Sequence, residues 1–251
     1  LGSSLINVGI TPAQITAAQS AVQSRYGVDA GSSEVPTSVQ TVVKDVLFKV
    51  DWNISDNHRA NVRYAKTTQT DPIFPGNFNN ALSLSSYWYA TEKTIDTAVG
   101  QWFGDWSDTF STEVKVSARN YSSAPALNAN TPEVALIYTG TAPAGTPTGD
   151  RTLRFGTEET RQFNDLKTKT TNLFAAGTLT LNDHEIKGGV DIERNNSINA
   201  FVRGSSGRYT FRGADPAALL IAGNPTTFTV QVPLPGRTLQ DGAADWTLTN
   251  T

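Results

Sequence analysis

The sequence predicts an all-β chain: an antiparallel up-and-down meander of paired strands, with short turns on one side and long connections on the other. Three observations carry this. Apolar and polar residues alternate strictly in VVKDVLFKVDWNISDNHRANVRY (42–64), the alternation recurs in two later stretches, and each pair of alternating runs is joined by a two- or three-residue polar turn. Between the pairs lie irregular connections of roughly 20, 40 and 50 residues, longer than a compact domain needs for joining strands.

In the first hairpin (41–66), Val46, Phe48, Val50, Trp52 and Ile54 fall on one face, and Asp45, Lys49, Asp51 and Asn53 on the other. On the return strand Ala60, Val62 and Tyr64 alternate with Arg59, Asn61 and Arg63. With Asp56, Asn57 and His58 as the loop, the expected register pairs Ile54 with Ala60, Trp52 with Val62 and Val50 with Tyr64, and sets Asp51 opposite Arg63. Residues 1–40 read as an external loop with one helix: Thr11 caps it, Pro12 occupies its first turn, and Gly27 ends it after Arg25. The stretch KTTQTDPIFPGNFNNALS (66–83) has the Thr, Asn, Pro and Gly content of a loop.

The second hairpin (86–121) uses Ser107, Asp108 and Thr109 as its loop. Trp106 then pairs with Phe110, Trp102 with Val114, Gly100 with Val116 and Ala98 with Ala118. Gln101 opposes Lys115 and Thr97 opposes Arg119 on the other face, where Val99 and Phe103 intrude. Ser122 to about Phe163 reads as irregular. The third hairpin (166–195) turns at Asn182-Asp183, which pairs Leu181 with His184, Leu179 with Ile186, Gly177 with Gly188, Ala175 with Val190 and Leu173 with Ile192. An external loop follows at 196–245, with a short helix from Asp215-Pro216 to Gly223, and Trp246 and Leu248 open a further strand at 246–251.

Strands expected to be about 10–14 residues long, with turns on one side and loops on the other, fit a transmembrane β-barrel with long external loops carrying short helices. Trp52, Trp106 and Phe110 near the turns, with Tyr64, Tyr87, Trp88, Tyr89 and Tyr121 near the loops, match the aromatic belts of such a barrel. A soluble β-sandwich that binds carbohydrate or protein through its loops, secreted or on the cell surface, is the competing reading, because its sheets alternate in the same way. Composition does not separate the two: 38% hydrophobic residues and a mean hydropathy of -0.31 suit both. With 20 basic and 23 acidic residues there is no basic field, and nucleic acid is not an expected partner. The absence of Met and the start at Leu1 lead to the expectation of a piece of a longer protein.

The segments FKVDWNISDNHRANVRY (48–64), LNDHEIKGGVDIERNNSINAF (181–201) and GRYTF (207–211) resemble the barrel of TonB-dependent outer-membrane receptors, most closely the Oar-like group. That resemblance implies a barrel of about 22 strands around a plug domain, of which this chain holds six or seven strands. It also implies residence in the bacterial outer membrane, contact with its lipid, uptake of a large or scarce solute, and coupling to the TonB complex through a plug outside this chain.

No catalytic, cofactor or metal site is assigned, and the chain is read as no enzyme. The two histidines, His58 and His184, lie in or beside turns and read as turn residues facing water, and no Cys accompanies them. Glu158-Glu159 and Asp191/Glu193 are the carboxylate pairs weighed for glycoside hydrolysis, and they read instead as solvated or ion-paired charge. Asp71, Asp150, Asp215 and Asp241 lack the spacing of a calcium loop. Phe74, Phe78, Tyr87, Trp88, Tyr89 and Tyr138 are the aromatics placed where solute would arrive, and none is assigned to binding.

Overall fold

The computed structural model describes residues 8–78, 80–233 and 235–239. The strand expected at 246–251, and Asp241, lie outside the described residues. In chain order the elements are α1 (Pro12–Tyr26), β1 (Val42–Ser55), β2 (His58–Ile73), β3 (Ala81–Ser83), β4 (Tyr89–Ser107), β5 (Phe110–Leu127), β6 (Glu133–Tyr138), β7 (Arg151–Phe155), β8 (Asn164–Leu181), β9 (His184–Phe201), β10 (Arg208–Gly213), α2 (Pro216–Ala222) and β11 (Thr227–Thr229).

The alternating hairpins form one six-stranded antiparallel sheet in the order β1-β2-β4-β5-β8-β9. All three hairpins close with two-residue turns, Asp56-Asn57, Asp108-Thr109 and Asn182-Asp183, and in the third Asn182 takes the left-handed conformation (φ 50°). The third hairpin has the register read from sequence, from Leu181↔His184 to Leu173↔Ile192. In the second, Trp102↔Val114, Gly100↔Val116 and Ala98↔Ala118 hold, but Phe110 opposes Ser107 rather than Trp106 because the ladder is irregular between Asp105 and Ser107. The first hairpin differs throughout. Its shorter turn, with an irregularity between Asn53 and Ser55, pairs Trp52 with Ala60, Val50 with Val62 and Phe48 with Tyr64. The shift is two residues, so every side chain keeps its face. Asp51 now opposes Asn61 and pairs with Lys49 of its own strand at 2.8 Å, not with Arg63.

The strands are also longer than alternation suggested, at 14 to 19 residues. β2 runs to Ile73 and β5 to Leu127, through stretches that read as loop. Pro72 and Pro125 are accommodated because each lies past the last partner on one side, beyond Val42↔Thr70 and Ser123↔Leu166, where the strand is flanked on a single side.

The long connections fold together into a cap. A five-stranded mixed sheet, β11-β10-β6-β7-β3, is joined by α1 and α2. EVALIY (133–138) and RTLRF (151–155), expected to be irregular, are its central strands; RTLRF alternates buried with half-buried side chains, and EVALIY buries Glu133, Ala135, Leu136 and Tyr138. Both helices begin and end as read. Thr11 and Gln14 form a reciprocal capping box, Asp215 caps α2, and Gly27 and Gly223 close the C-termini in the left-handed region. The buried hydrophobic cluster belongs to this cap: Ala18, Ala21 and Val22 of α1 pack with Leu136, Leu153, Phe155, Phe211 and Leu220. The large sheet has no such cover, because Trp52, Val62, Val116 and Val190 are each more than half exposed on its apolar face. The second sheet lies in the cap and does not stack on that face, which overturns the sandwich reading.

Candidate functional site

The large sheet has two chemically distinct faces, and the ladder registers allow each to be followed row by row. On the apolar face one row reads Trp52, Ala60, Trp102, Val114, Ala175, Val190, and the next Val50, Val62, Gly100, Val116, Leu173, Ile192. Two rows further the same face carries Val46, Lys66, Asp96, Asn120, Lys169 and Asn196. The apolar band therefore ends partway along the strands. On β8 it extends from Leu181 to Leu173, roughly 27 Å along the strand and roughly 21 Å of height at a tilt of about 40°, close to the ~25 Å band of outer-membrane barrels. β4, with 19 residues, is roughly 61 Å long and outruns this band by roughly 25 Å of height. Among the described residues no helix is long and apolar enough to cross a membrane.

Near the turns the band carries an aromatic group. His58 stacks on Trp102 at 5.6 Å and meets Trp106 edge-on at 5.1 Å, with Trp102 and Trp106 in contact with each other at 5.7 Å. Gly104, opposite His58, makes room for this: a Cβ there would lie 2.8 Å from the Trp102 ring. His58 is thus the first residue of β2 and part of the ring cluster rather than a loop residue facing water, whereas His184 is exposed as read.

The opposite face is polar and internally bonded. The Gln101 amide donates to Glu113 at 2.7 Å, and Lys187 lies 3.6 Å from the other oxygen of Glu113. Phe103 and Phe174, aromatics on an otherwise polar surface, serve as platforms for cations. Arg59 lies over Phe103 at 4.8 Å, and Lys115 and Lys187 lie over Phe174 at 5.3 and 6.0 Å. Asp191 accepts a hydrogen bond from the Asn172 amide, and Glu193 opposes Asn172 in the ladder.

Above these faces the cap holds a cavity of about 280 Å³ whose walls include Val22, Tyr26, Val134, Phe155, Tyr209 and Phe211. Beside it is an ion cluster. Glu133, fully buried, meets Arg154 at 2.7 Å and Arg208 at 3.5 Å, and accepts the Glu159 N–H at 3.0 Å. Glu159 pairs with Arg203 and lies 3.4 Å from Arg208. Burial outweighs the two guanidiniums and holds Glu133 above the usual carboxylate range. Burial also acts on Glu159, but there the Arg203 hydrogen bond and the charges of Arg208, Arg203 and Arg154 prevail and hold it below that range. Glu158 is occupied locally, accepting from Thr160 N–H at 3.2 Å.

The structure sorts the aromatics named from sequence. Tyr87, Trp88 and Tyr89 are buried rather than placed at a lipid interface, and Tyr138, named among the solute-side aromatics, is buried as well. Trp88 donates to Ser83 Oγ at 2.7 Å and meets Phe74 edge-on, and Arg161 Nε donates to the Tyr89 hydroxyl at 3.1 Å. Burial, aided by the Asp215 charge, pushes Tyr138 up to about 12. Phe78 is exposed. Asp71 pairs with Lys93 at 2.8 Å, Asp150 with Arg212 at 2.8 Å, and Asp215 caps a helix, so these three are dispersed among separate roles. Sequence reading missed the cavity walls and the Glu133 cluster, because EVALIY and RTLRF are short runs between Thr-, Gly- and Pro-rich segments.

No curated protein matches the chain. A family model described as the outer membrane beta barrel domain matches residues 6–245. Its span takes in both the two-faced sheet and the cap, and the chain accordingly belongs to the outer membrane beta barrel domain family, forming transmembrane β-barrel structure in the bacterial outer membrane.

Proposed function

We propose that this chain is part of a TonB-dependent receptor of the Oar-like kind, a non-catalytic importer of a large or scarce solute. The observation that carries the reading is the ordered likeness of residues 48–64, 181–201 and 207–211 to the barrel of those receptors. The cap supports it. Long connections gathered at one end of the sheet present an apolar cavity and a charged rim above a polar face, an arrangement suited to receiving solute before it enters a barrel interior. In this reading the Val50, Val116 and Val190 face meets lipid, the Gln101, Glu113 and Lys187 face lines the lumen, and further strands pair with the edges presented by β1 and β9. A plug domain outside this chain provides the TonB contact.

The test uses the full-length protein in detergent and the purified C-terminal domain of TonB. Binding is expected with the intact protein, and its loss is expected when the plug segment that contacts TonB is deleted. Failure of the intact protein to bind overturns energised import and leaves the barrel assignment untouched.

A further inference from the structure

The apolar face changes character at one level of the sheet, and cations gather there. Arg194 stands in the row of Phe48, Tyr64 and Ala118, Lys66 and Lys169 in the next, and Lys44 and Lys167 in the one after. All share the face of Val50, Val116 and Leu173. Three carboxylates accompany these five cations: Asp96, 3.8 Å from Lys66 and hydrogen-bonded by the Tyr64 hydroxyl, Asp165, 2.6 Å from Lys167, and Glu92, exposed one row beyond Lys44. Among the described residues, Lys169 and Arg194 have no acidic partner within salt-bridge distance, and both are exposed. Between β4 and β9 the same level holds a shallow groove of about 380 Å³ whose walls include Asp96, Asn120, Lys167, Lys169, Asn196 and Ile198.

We infer that this level of the outward face binds the phosphorylated headgroup of an outer-leaflet lipid. The donor set fits phosphate: ammonium and guanidinium groups in excess over carboxylates, with the Asn120 and Asn196 amides as neutral donors. The position selects a lipid over a free anion. Lys169 is four residues from Leu173 on β8, roughly 13 Å along the strand, so a bound phosphate lies at headgroup height while acyl chains follow the Val116, Leu173 and Ile192 stripe. Cations one or two rows beyond an apolar band are where a polyanionic leaflet surface meets a barrel wall.

The experiment titrates the full-length protein, held in phosphatidylcholine nanodiscs, with bis-phosphorylated lipid A, and reads bound lipid by native mass spectrometry. Wild type is expected to retain lipid A and to release it when both phosphates have been removed chemically. The pair Lys169→Gln with Arg194→Gln is expected to weaken retention by about tenfold or more. The charge-keeping pair Lys169→Arg with Arg194→Lys is expected to restore it, which separates lost charge from lost fold. Lys115→Gln with Lys187→Gln, on the opposite face, is expected to leave retention unchanged. Equal retention of dephosphorylated lipid, displacement by inorganic phosphate alone, or equal loss in the opposite-face variant each overturns the assignment. Retention of lipid A by the Lys169→Gln, Arg194→Gln pair does so as well.

Discussion

In the large sheet the apolar side chains stand in the open, with Trp52 at 63%, Ile192 at 59% and Val190 at 57% exposure, while in the cap Leu136, Leu153 and Phe211 are at 0 to 2%. The cap is packed as a water-soluble domain is packed, around its own core, with an ion cluster tying β6, β7 and β10 to the 157–163 turn. The sheet has the same apolar chemistry and, among the described residues, no protein against it. The difference shows that alternation by itself specifies a face and not its partner. For the cap the partner is protein, and for the sheet, in the function proposed above, it is the hydrocarbon of the membrane.

Substitutions can be aimed at either side of this contrast. Phe211→Ala opens the cap core at a cost of about 3–5 kcal/mol. Protease sensitivity of the external connections is expected to rise sharply while the barrel still migrates as a folded species in heat-modifiability gels. Val190→Arg is expected to do the reverse, blocking barrel assembly at a cost of about 2–4 kcal/mol near the midplane. Asp191→Arg, the neighbouring residue on the opposite face, is the control and should assemble. Equal assembly of the two variants would remove the assigned orientation of the sheet. Thr11→Ala removes the capping box of α1 at about 1 kcal/mol, and a modest gain in amide exchange confined to the first turn of that helix is expected.

The smallest expected effect is the pH response of the cap. Because Glu159 is held below its ordinary value in the folded state, its contribution is present above the usual carboxylate range and is lost as the pH falls through the lowered value. A spin label at Ser205 should gain mobility on acidification, and Glu159→Gln should flatten that change. Glu133, held above its ordinary value by burial, works in the opposite sense: its contribution is complete at low pH and declines as pH rises through the raised value.

Much of the sheet was legible in the sequence, and the parts that were not share a cause. Alternation identified all three hairpins and both faces, and the Asn182-Asp183 turn gave the third register outright. The first register slipped by two residues because alternation is blind to a shift of one full period, and only turn length could separate Asp56-Asn57 from a loop that included His58. The strand ends were invisible for a different reason. Beyond Tyr64, Ala98 and Ala118 the face that carries the band becomes Lys66, Asp96 and Asn120, so polar groups stand on both sides and the period of two loses its contrast. The candidate site was the least legible. Its walls come from α1, β6, β7, β10 and α2, elements far apart in sequence, and Glu133 shows its role only when Arg154 and Arg208 are brought onto it.

The strands that outrun the apolar band also set a mechanical scale. Their upper parts, among them Tyr89–Thr94 of β4 and Ser122–Leu127 of β5, form a stiff ladder continuous with the membrane-level sheet below and with the connections to the cap above. Such a ladder acts as a lever arm. Over an arm of roughly 25 Å, a change in strand tilt of about 10° at the band's upper edge sweeps the cap sideways by about 4 Å. A small rearrangement at membrane height is therefore enough to carry the cap sideways by about one atomic diameter.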